Sequence, residues 1–392
     1  MLDMKINVIG TTKPNEMATK EDFETFSGHA AGVCYMKGTF EKLVNEKPEK
    51  TASRVAMVKN GGHHSVFDHD FINLELEDIP KALAMVINNE HFYNTSEKSG
   101  RYTKLAISPR EEELYNKWCG IFQEIIKGKY QEKFPEYFTD SRITKLAYEN
   151  ARYLISIYTP TTMIYTTSYR QLNSICGMME KELKNPHMSK FYADMAEPMR
   201  DFVDAIKNLP YYDETLSNVG RMKRLSLVSP KQEFIEHYGN TYATKYNGSF
   251  AQYAQAQRHR TLDYDFSLLD EEKYYVPPIL SLDKKLENEW LSDCASLKLI
   301  VPQSTMVEIH ESGTLNNFIL KNYERRCTAA QIEIANQTKA TYEKYMEEAE
   351  KNNHTAIVKA LKPYKLARCT YPEYQCTTPC HFAEGVIETR LI

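Results

Sequence analysis

The chain states its plan twice. His64-Ser65-Val66-Phe67-Asp68-His69 in the first half has a counterpart in Glu233-Phe234-Ile235-Glu236-His237 in the second. Each segment is followed by a stretch readable as a strand, then a helix, then a polar turn. A duplication of this kind constrains the fold strongly, because whatever one half forms the other should form again. The 392 residues are enough for two such domains at roughly 150 residues each. Leu209-Pro210-Tyr211-Tyr212-Asp213 marks the seam. Residues 1–208 are then the first repeat, and residues 209–392 the second, with a helical, cysteine-containing tail.

Within the first repeat, Ile6, Val8 and Ile9 suggest a short strand. From Phe71 to Glu77 the alternation is strict: Ile72, Leu74 and Leu76 share one face, and Asn73, Glu75 and Glu77 the other. That is the pattern of a half-buried strand. Asp78-Ile79-Pro80 opens a helix, since proline suits a first turn. Helical patterns follow over 111–129, 140–157, 165–183 and 188–208. In the second repeat a weaker strand pattern covers 234–245, and Asn247-Gly248-Ser249 caps a helix over 250–260. Further helices are expected over 286–299, 315–350 and 354–366. The Lys/Glu-rich face from Lys339 to Lys351 reads as solvated.

Charge and cysteine usage exclude several classes. Lys+Arg 49 against Asp+Glu 53 leaves a net charge of -4, with no basic excess to track nucleic-acid phosphates. No apolar run reaches the roughly 18 residues of a membrane span, and no secretory leader is evident. Cysteines at 34, 119, 176, 294, 327, 369, 376 and 380 are scattered, which suits reduced thiols in a cytoplasmic protein. His63, His64 and His69 do not have zinc-ligand spacing, and the tail Cys369, Cys376 and Cys380 read as free thiols, so no metal is expected.

Several arginines sit where chemistry is plausible. Gln255-Ala256-Gln257-Arg258-His259-Arg260 concentrates planar donors at one helix end; it would complement the helix dipole in any case. Ser99-Gly100-Arg101 offers a hydroxyl, a flexible glycine and a guanidinium in a turn, enough for a small phosphate pocket. Arg325 and Arg326 directly precede the apolar-periodic Ala330-Gln331-Ile332-Glu333-Ile334. Arg152 and Arg170 stand in similar helical settings. Arginine is costly to bury alone, so each should meet a carboxylate or an anionic ligand.

As an ordered set, these pieces resemble the flavin-dependent thymidylate synthases. That family carries a His-x-(Ser/Thr)-x-Phe-(Glu/Asp)-His segment, an Arg-His-Arg triplet followed by Ser-x-Arg, an Ala-Arg-x-x-Leu, an Asn-Ala-Arg-Ser-Leu, and an Arg shortly before Ala-Gln-x-Glu-Ile. Matching residues here span nearly the whole chain, but neither half is intact. The first half keeps Glu97, Ser99-Gly100-Arg101, Arg152 and Arg170, yet reads Asn89-Glu90-His91 at the triplet and Met179 where the second half has Arg325. The second half keeps Gln255, Arg258-His259-Arg260 and Arg325. It lacks the Ser-x-Arg, carries Phe266 where the family has Glu, and has Lys298 in place of Arg152.

The resemblance implies an α+β fold, a helix-rich domain around an antiparallel sheet, present in two tandem repeats with complementary losses. It implies reductive methylation of dUMP to dTMP with FAD, NADPH and 5,10-methylenetetrahydrofolate, at one composite site per chain. Glu97, Ser99, Gly100, Arg101, Arg152, Gln255 and Arg258 would hold the nucleotide, and Arg325 would act on the uracil edge. His63, His64, Ser65, Arg170, Arg258, His259 and Arg260 would meet FAD or folate. The family's tetramer implies a homodimer of this two-half chain. The alternatives are a methylase or hydroxymethylase of another pyrimidine nucleotide, and a non-catalytic flavin- or nucleotide-binding homologue.

Overall fold

The computed structural model describes residues 4–12, 17–35, 39–98, 106–186, 189–217, 224–377, 380 and 390–392. The strands are β1 (Lys5–Thr11), β2 (Phe71–Pro80), β3 (Tyr93–Glu97), β4 (Pro160–Ser168), β5 (His237–Tyr238), β6 (Thr241–Ser249), β7 (Asp263–Leu268) and β8 (Met306–Thr314). The helices of the first half are α1 (Lys20–Tyr35), α2 (Phe40–Val44), α3 (Pro48–Asn60), α4 (Lys81–Ile87), α5 (Pro109–Ile126), α6 (Asp140–Ala151), α7 (Tyr169–Lys184) and α8 (Lys190–Lys207). The second half contributes α9 (Glu214–Ser217), α10 (Phe250–Ala256), α11 (Lys284–Ser296), α12 (Leu315–Arg325), α13 (Ile332–Lys351) and α14 (Thr355–Leu361).

The strands form two four-stranded sheets, ordered β1-β2-β4-β3 and β5-β6-β8-β7. All six pairings are antiparallel. The α+β expectation therefore holds, and the two sheets share one connectivity. In each, the second strand runs straight into a short helix (α4 or α10), which leads to the edge strand (β3 or β7). In each, the third strand runs straight into a longer helix (α7 or α12). Three of these junctions use the same device: Ser168, Ser249 and Thr314 end a strand and cap the next helix, their hydroxyls accepting from the amides of Gln171, Gln252 and Asn317. A hydroxyl there satisfies an amide that the helix itself leaves unpaired.

The compact units do not follow the 208/209 seam. One consists of Met1–Lys98 and Pro160–Pro230; the other of Ser99–Thr159 and Lys231–Ile392. The first half thus lends α5 and α6 to the unit built on the second sheet. The reason is an apolar core. Leu114, Trp118, Phe122 and Ile126 of α5 and Ile143, Ala147 and Ala151 of α6 join Trp290, Cys294 and Leu297 of the second half in one buried cluster. Trp118 and Trp290 meet edge to face with ring centroids 4.9 Å apart. The Trp118 indole donates to Asp293 at 2.8 Å, and Lys117 pairs with the same carboxylate at 2.6 Å.

Element limits differ from the sequence reading in several places. Residues 165–168 belong to β4, and the 140–157 helix stops at Ala151 before a single 3-10 turn, Arg152–Leu154. The 250–260 helix ends at Ala256, and the 315–350 helix is two helices separated at residues 326–331. The strand pattern over 234–245 resolves into β5, a turn and β6, with Asn247 and Gly248 inside the strand. Strands β3, β7 and β8 carry polar residues such as Asn94, Ser96, Asp265 and Glu311 on their faces, so their alternation is weak and strong helical patterns masked them.

Candidate active site

In the unit containing the second sheet, α10 ends at Ala256 and the chain turns sharply. The His259 amide donates to the Ala256 carbonyl at 2.8 Å, and the Leu262 amide to the His259 carbonyl at 3.1 Å. This turn buries His259 between the exposed Arg258 and Arg260. Imidazole Nδ1 lies 2.8 Å from the Glu324 carboxylate. That hydrogen bond, more than anything else, holds the Glu324 carboxyl below the usual range. The other ring nitrogen, Nε2, is buried with no hydrogen-bond partner among the described residues, and so is Oε1 of Gln255. Buried polar atoms of this kind are expensive to leave unpaired, so each can accept or donate a further hydrogen bond.

Arg325 sits beside this turn at the end of α12. Its Nη2 donates to the Gln255 carbonyl at 3.3 Å and lies 3.7 Å from Glu324. Beneath it lies a buried ion pair. Glu311 accepts from Tyr242 at 2.6 Å, Tyr246 at 2.7 Å and Lys321 at 2.5 Å. Burial pushes the Glu311 carboxyl up, but Lys321 and the two phenols outweigh it and hold the group below the usual range. Tyr264, next to Arg325, is pushed far above the ordinary phenol value, first by burial and then by Glu311. It therefore stays a neutral phenol at physiological pH.

Arg152 reaches the same unit from the first half, as the first residue of the 3-10 turn after α6. Residues 153–157 are clamped by backbone bonds to 301–304: Ser304 to Tyr153 and Gln303 to Ile155 at 2.8 Å, and Ile157 to Val301 at 3.0 Å. The Arg152 guanidinium donates to Gln331 Oε1 at 2.5 Å, and Gln331 donates to the Tyr153 hydroxyl. Tyr153 donates to Glu333 at 2.6 Å. Glu333 also accepts from the Ser249 hydroxyl at 2.7 Å and the Ser249 amide at 2.8 Å. Burial raises the Glu333 carboxyl, with these donors opposing. Since Ser249 caps α10, one buried network ties Arg152 to the start of the helix whose far end carries Arg258, His259 and Arg260.

Gln331, Glu333, Tyr153 and Ser249 were not singled out by the sequence as positioning groups. Gln331 and Glu333 were visible only as part of the Ala-Gln-x-Glu-Ile pattern. Tyr153 and Ser249 gave no signal beyond a tyrosine after an arginine and a helix cap.

The other unit holds Glu97, Arg170, His63, His64 and Ser65. Glu97, the last residue of β3, pairs with Lys81 at 2.8 Å. Arg170 pairs with Asp68 at 2.8 Å, and Asp68 also accepts from Ser168 at 2.6 Å. His64 Nε2 lies 2.9 Å from the Lys59 carbonyl, while His63 and Ser65 are exposed beside it. Ser99, Gly100 and Arg101 lie outside the described residues. Among the described residues no group of three or more His, Cys, Asp or Glu could hold a metal ion. Cys327, Cys369, Cys376 and Cys380 are free thiols.

The family model of the thymidylate synthase complementing protein matches residues 17–203. The match runs from before α1 into α8 and so includes Glu97, Arg152 and Arg170. No curated protein sequence matches the chain. Among solved structures, thymidylate synthase ThyX from Helicobacter pylori with FAD and dUMP is similar at 14% identity and a TM-score of 0.33, covering 55% of this chain and 100% of its own. A UMP/dUMP methylase, PolB from Streptomyces cacaoi with 5-Br dUMP, is similar at 14% identity and a TM-score of 0.31, covering 54% of this chain and 97% of its own. No described helix is long and apolar enough to cross a membrane.

Proposed function

We propose that the chain is a duplicated flavin-dependent thymidylate synthase with one composite site, which methylates dUMP reductively using methylenetetrahydrofolate and NADPH. The observation that carries this reading is the company Arg152 keeps. It comes from the first half, yet it shares a compact unit with Gln255, Arg258, His259, Arg260 and Arg325, which that half lacks. The common strand order supports a duplication. Counting from the starts of α4 and α10 brings Asn89, Glu90 and His91 level with Arg258, His259 and Arg260. Counting from α7 and α12 brings Met179 level with Arg325, and Arg152 and Lys298 each open a 3-10 turn.

The residues fit the groups the reaction needs. Arg258 and Arg260 suit the diphosphate of FAD, and His259 Nε2 and Gln255 Oε1 are buried atoms awaiting partners. Bound FAD would supply the hydride chemistry that no side chain can. The chain's own work is then positioning and electrostatics. Arg152, with Ser99, Gly100 and Arg101, would neutralise the nucleotide phosphate, and Gln255 would orient the sugar or base. Arg325 would stabilise negative charge on the uracil carbonyl edge as the ring is polarised. Glu97, His63, His64, Ser65 and Arg170 belong to the reading as further nucleotide, flavin or folate contacts, and the homodimer as its assembly.

The test is dUMP-dependent turnover of the full chain with FAD, NADPH and methylenetetrahydrofolate. Arg101→Ala, Arg152→Ala and Arg325→Ala should each lower kcat/KM by roughly a hundredfold, about 3 kcal/mol. Met179→Ala should leave it within a few-fold. Full activity in the Arg152 and Arg325 variants would remove the composite site. Phe266, buried between Phe250 and Tyr253 where the other half has Glu97, favours one alternative: a nucleotide lacking the contact that glutamate makes. Turnover on another pyrimidine nucleotide and none on dUMP would establish it.

A further inference from the structure

We propose that residues 224–229 are a built-in strap that permanently fills the first unit's counterpart of the nucleotide site. The inference deepens the proposed function, because it rests on the equivalence of α4 with α10 and of α7 with α12.

At the positions level with Arg258, His259 and Arg325, the first unit has Asn89, Glu90 and Met179. Glu182, one turn further along α7, lies level with Thr328. Glu90 and Glu182 are fully buried. The guanidinium groups are gone from this place, and two buried carboxylates stand level with His259 and Thr328 instead, so an anionic ligand would meet repulsion in a dry environment.

Residues of the chain itself bind both carboxylates. Ser226 donates to Glu90 Oε1 twice, from its amide and its hydroxyl, both at 2.8 Å. Asn89 donates to the Ser226 hydroxyl at 2.6 Å. Arg224 grips Glu182 with two bonds, Nε at 2.9 Å and Nη2 at 2.5 Å, and Ser229 adds a third at 2.6 Å. Between these polar anchors Leu225, Leu227 and Val228 are buried, and the Ser229 amide closes a turn on the Leu225 carbonyl at 3.2 Å. A guanidinium and two hydroxyls thus sit against the ends of α4 and α7, and three apolar side chains anchor them. The segment is a fixed internal occupant, so it gains no order from ligand.

Hydrogen–deuterium exchange of the full chain, read by mass spectrometry, tests this. Peptides covering 224–229 should exchange at least a hundredfold slower than an unstructured peptide and should not respond to FAD and dUMP. Peptides covering 255–260 should slow when those ligands are added. Exchange at 224–229 at the unstructured rate, or slowing there with ligand, overturns the strap. Slow exchange at 224–229 with no ligand effect at 255–260 upholds the strap and defeats the nucleotide reading instead. Arg224→Met should speed exchange at 224–229 at least tenfold without touching 255–260. If that variant does not fold, Ser226→Ala should give a smaller rise in the same peptide, and no rise in either variant overturns the proposal.

Discussion

Replacing Glu333 by leucine should destabilise the second-sheet unit by about 3–5 kcal/mol. The carboxyl is buried and accepts three hydrogen bonds: from Tyr153 at 2.6 Å, and from the Ser249 hydroxyl and amide at 2.7 and 2.8 Å. Leucine fills the volume but leaves those donors facing hydrocarbon. Each orphaned buried donor costs about 1–3 kcal/mol. Tyr153 stays beside Gln331, and the Ser249 hydroxyl still accepts from Gln252, so the sum falls toward the lower end. Glu333→Gln retains an acceptor and should cost about 1 kcal/mol at neutral pH. Because burial raises the Glu333 carboxyl above its unfolded value, its contribution is full below the unfolded pKa and is lost as pH rises through the folded one. The cost of glutamine should therefore shrink with rising pH. The assay is urea unfolding followed by tryptophan fluorescence. Both tryptophans of the sequence, Trp118 and Trp290, are fully buried in this unit, so the signal reports it selectively. A leucine variant within 1 kcal/mol of the parent, or a glutamine variant as damaged as the leucine one, would refute the reasoning.

Trp290→Ala removes the ring that Trp118 and Phe122 pack against and should cost about 3–5 kcal/mol by urea unfolding of the variant, followed through circular dichroism. Asp70 is pushed up to about 6 by burial, with the Ser27 hydroxyl at 2.9 Å opposing. Its contribution is present below the unfolded pKa and lost as pH rises past 6, so Asp70→Asn should gain about 1–2 kcal/mol at pH 8 and little at pH 4 by denaturant unfolding. Asp213 has the opposite sign: Lys59 at 2.6 Å and Lys20 at 3.1 Å hold it low against burial. Lys59→Met should therefore cost stability at neutral pH, and the loss should fade as the medium is acidified below the ordinary carboxylate range.

Much of this was legible in the residues. The strict alternation of Ile72, Leu74 and Leu76 announced β2, and the recurrence of one strand–helix–turn plan announced two sheets of one connectivity. Arg152 and Arg325 stood out because charge next to an apolar pattern needs a partner, and Arg258 and Arg260 because they gather planar donors at one helix end. The destination of α5 and α6 was not legible. Their apolar faces say that they must pack, but Trp118 does not say that its partner is Trp290, more than 170 positions away. The positioning network was hidden for the same reason: Gln331, Tyr153, Glu333 and Ser249 are ordinary residues until tertiary structure brings them together. Nor did the sequence show that Glu90 and Glu182, at positions level with His259 and Thr328, are occupied by a piece of their own chain.

The central claim is a single flavin-supported site on the second-sheet unit, and flavin titration followed by absorbance tests it most directly. The purified full chain, incubated with FAD and freed of excess by gel filtration, should retain one flavin per chain. Arg258→Ala combined with Arg260→Ala should abolish retention, whereas Asn89→Ala combined with Met179→Ala should leave it unchanged. A chain that retains no flavin, or one in which the second pair of changes costs as much as the first, would contradict the account.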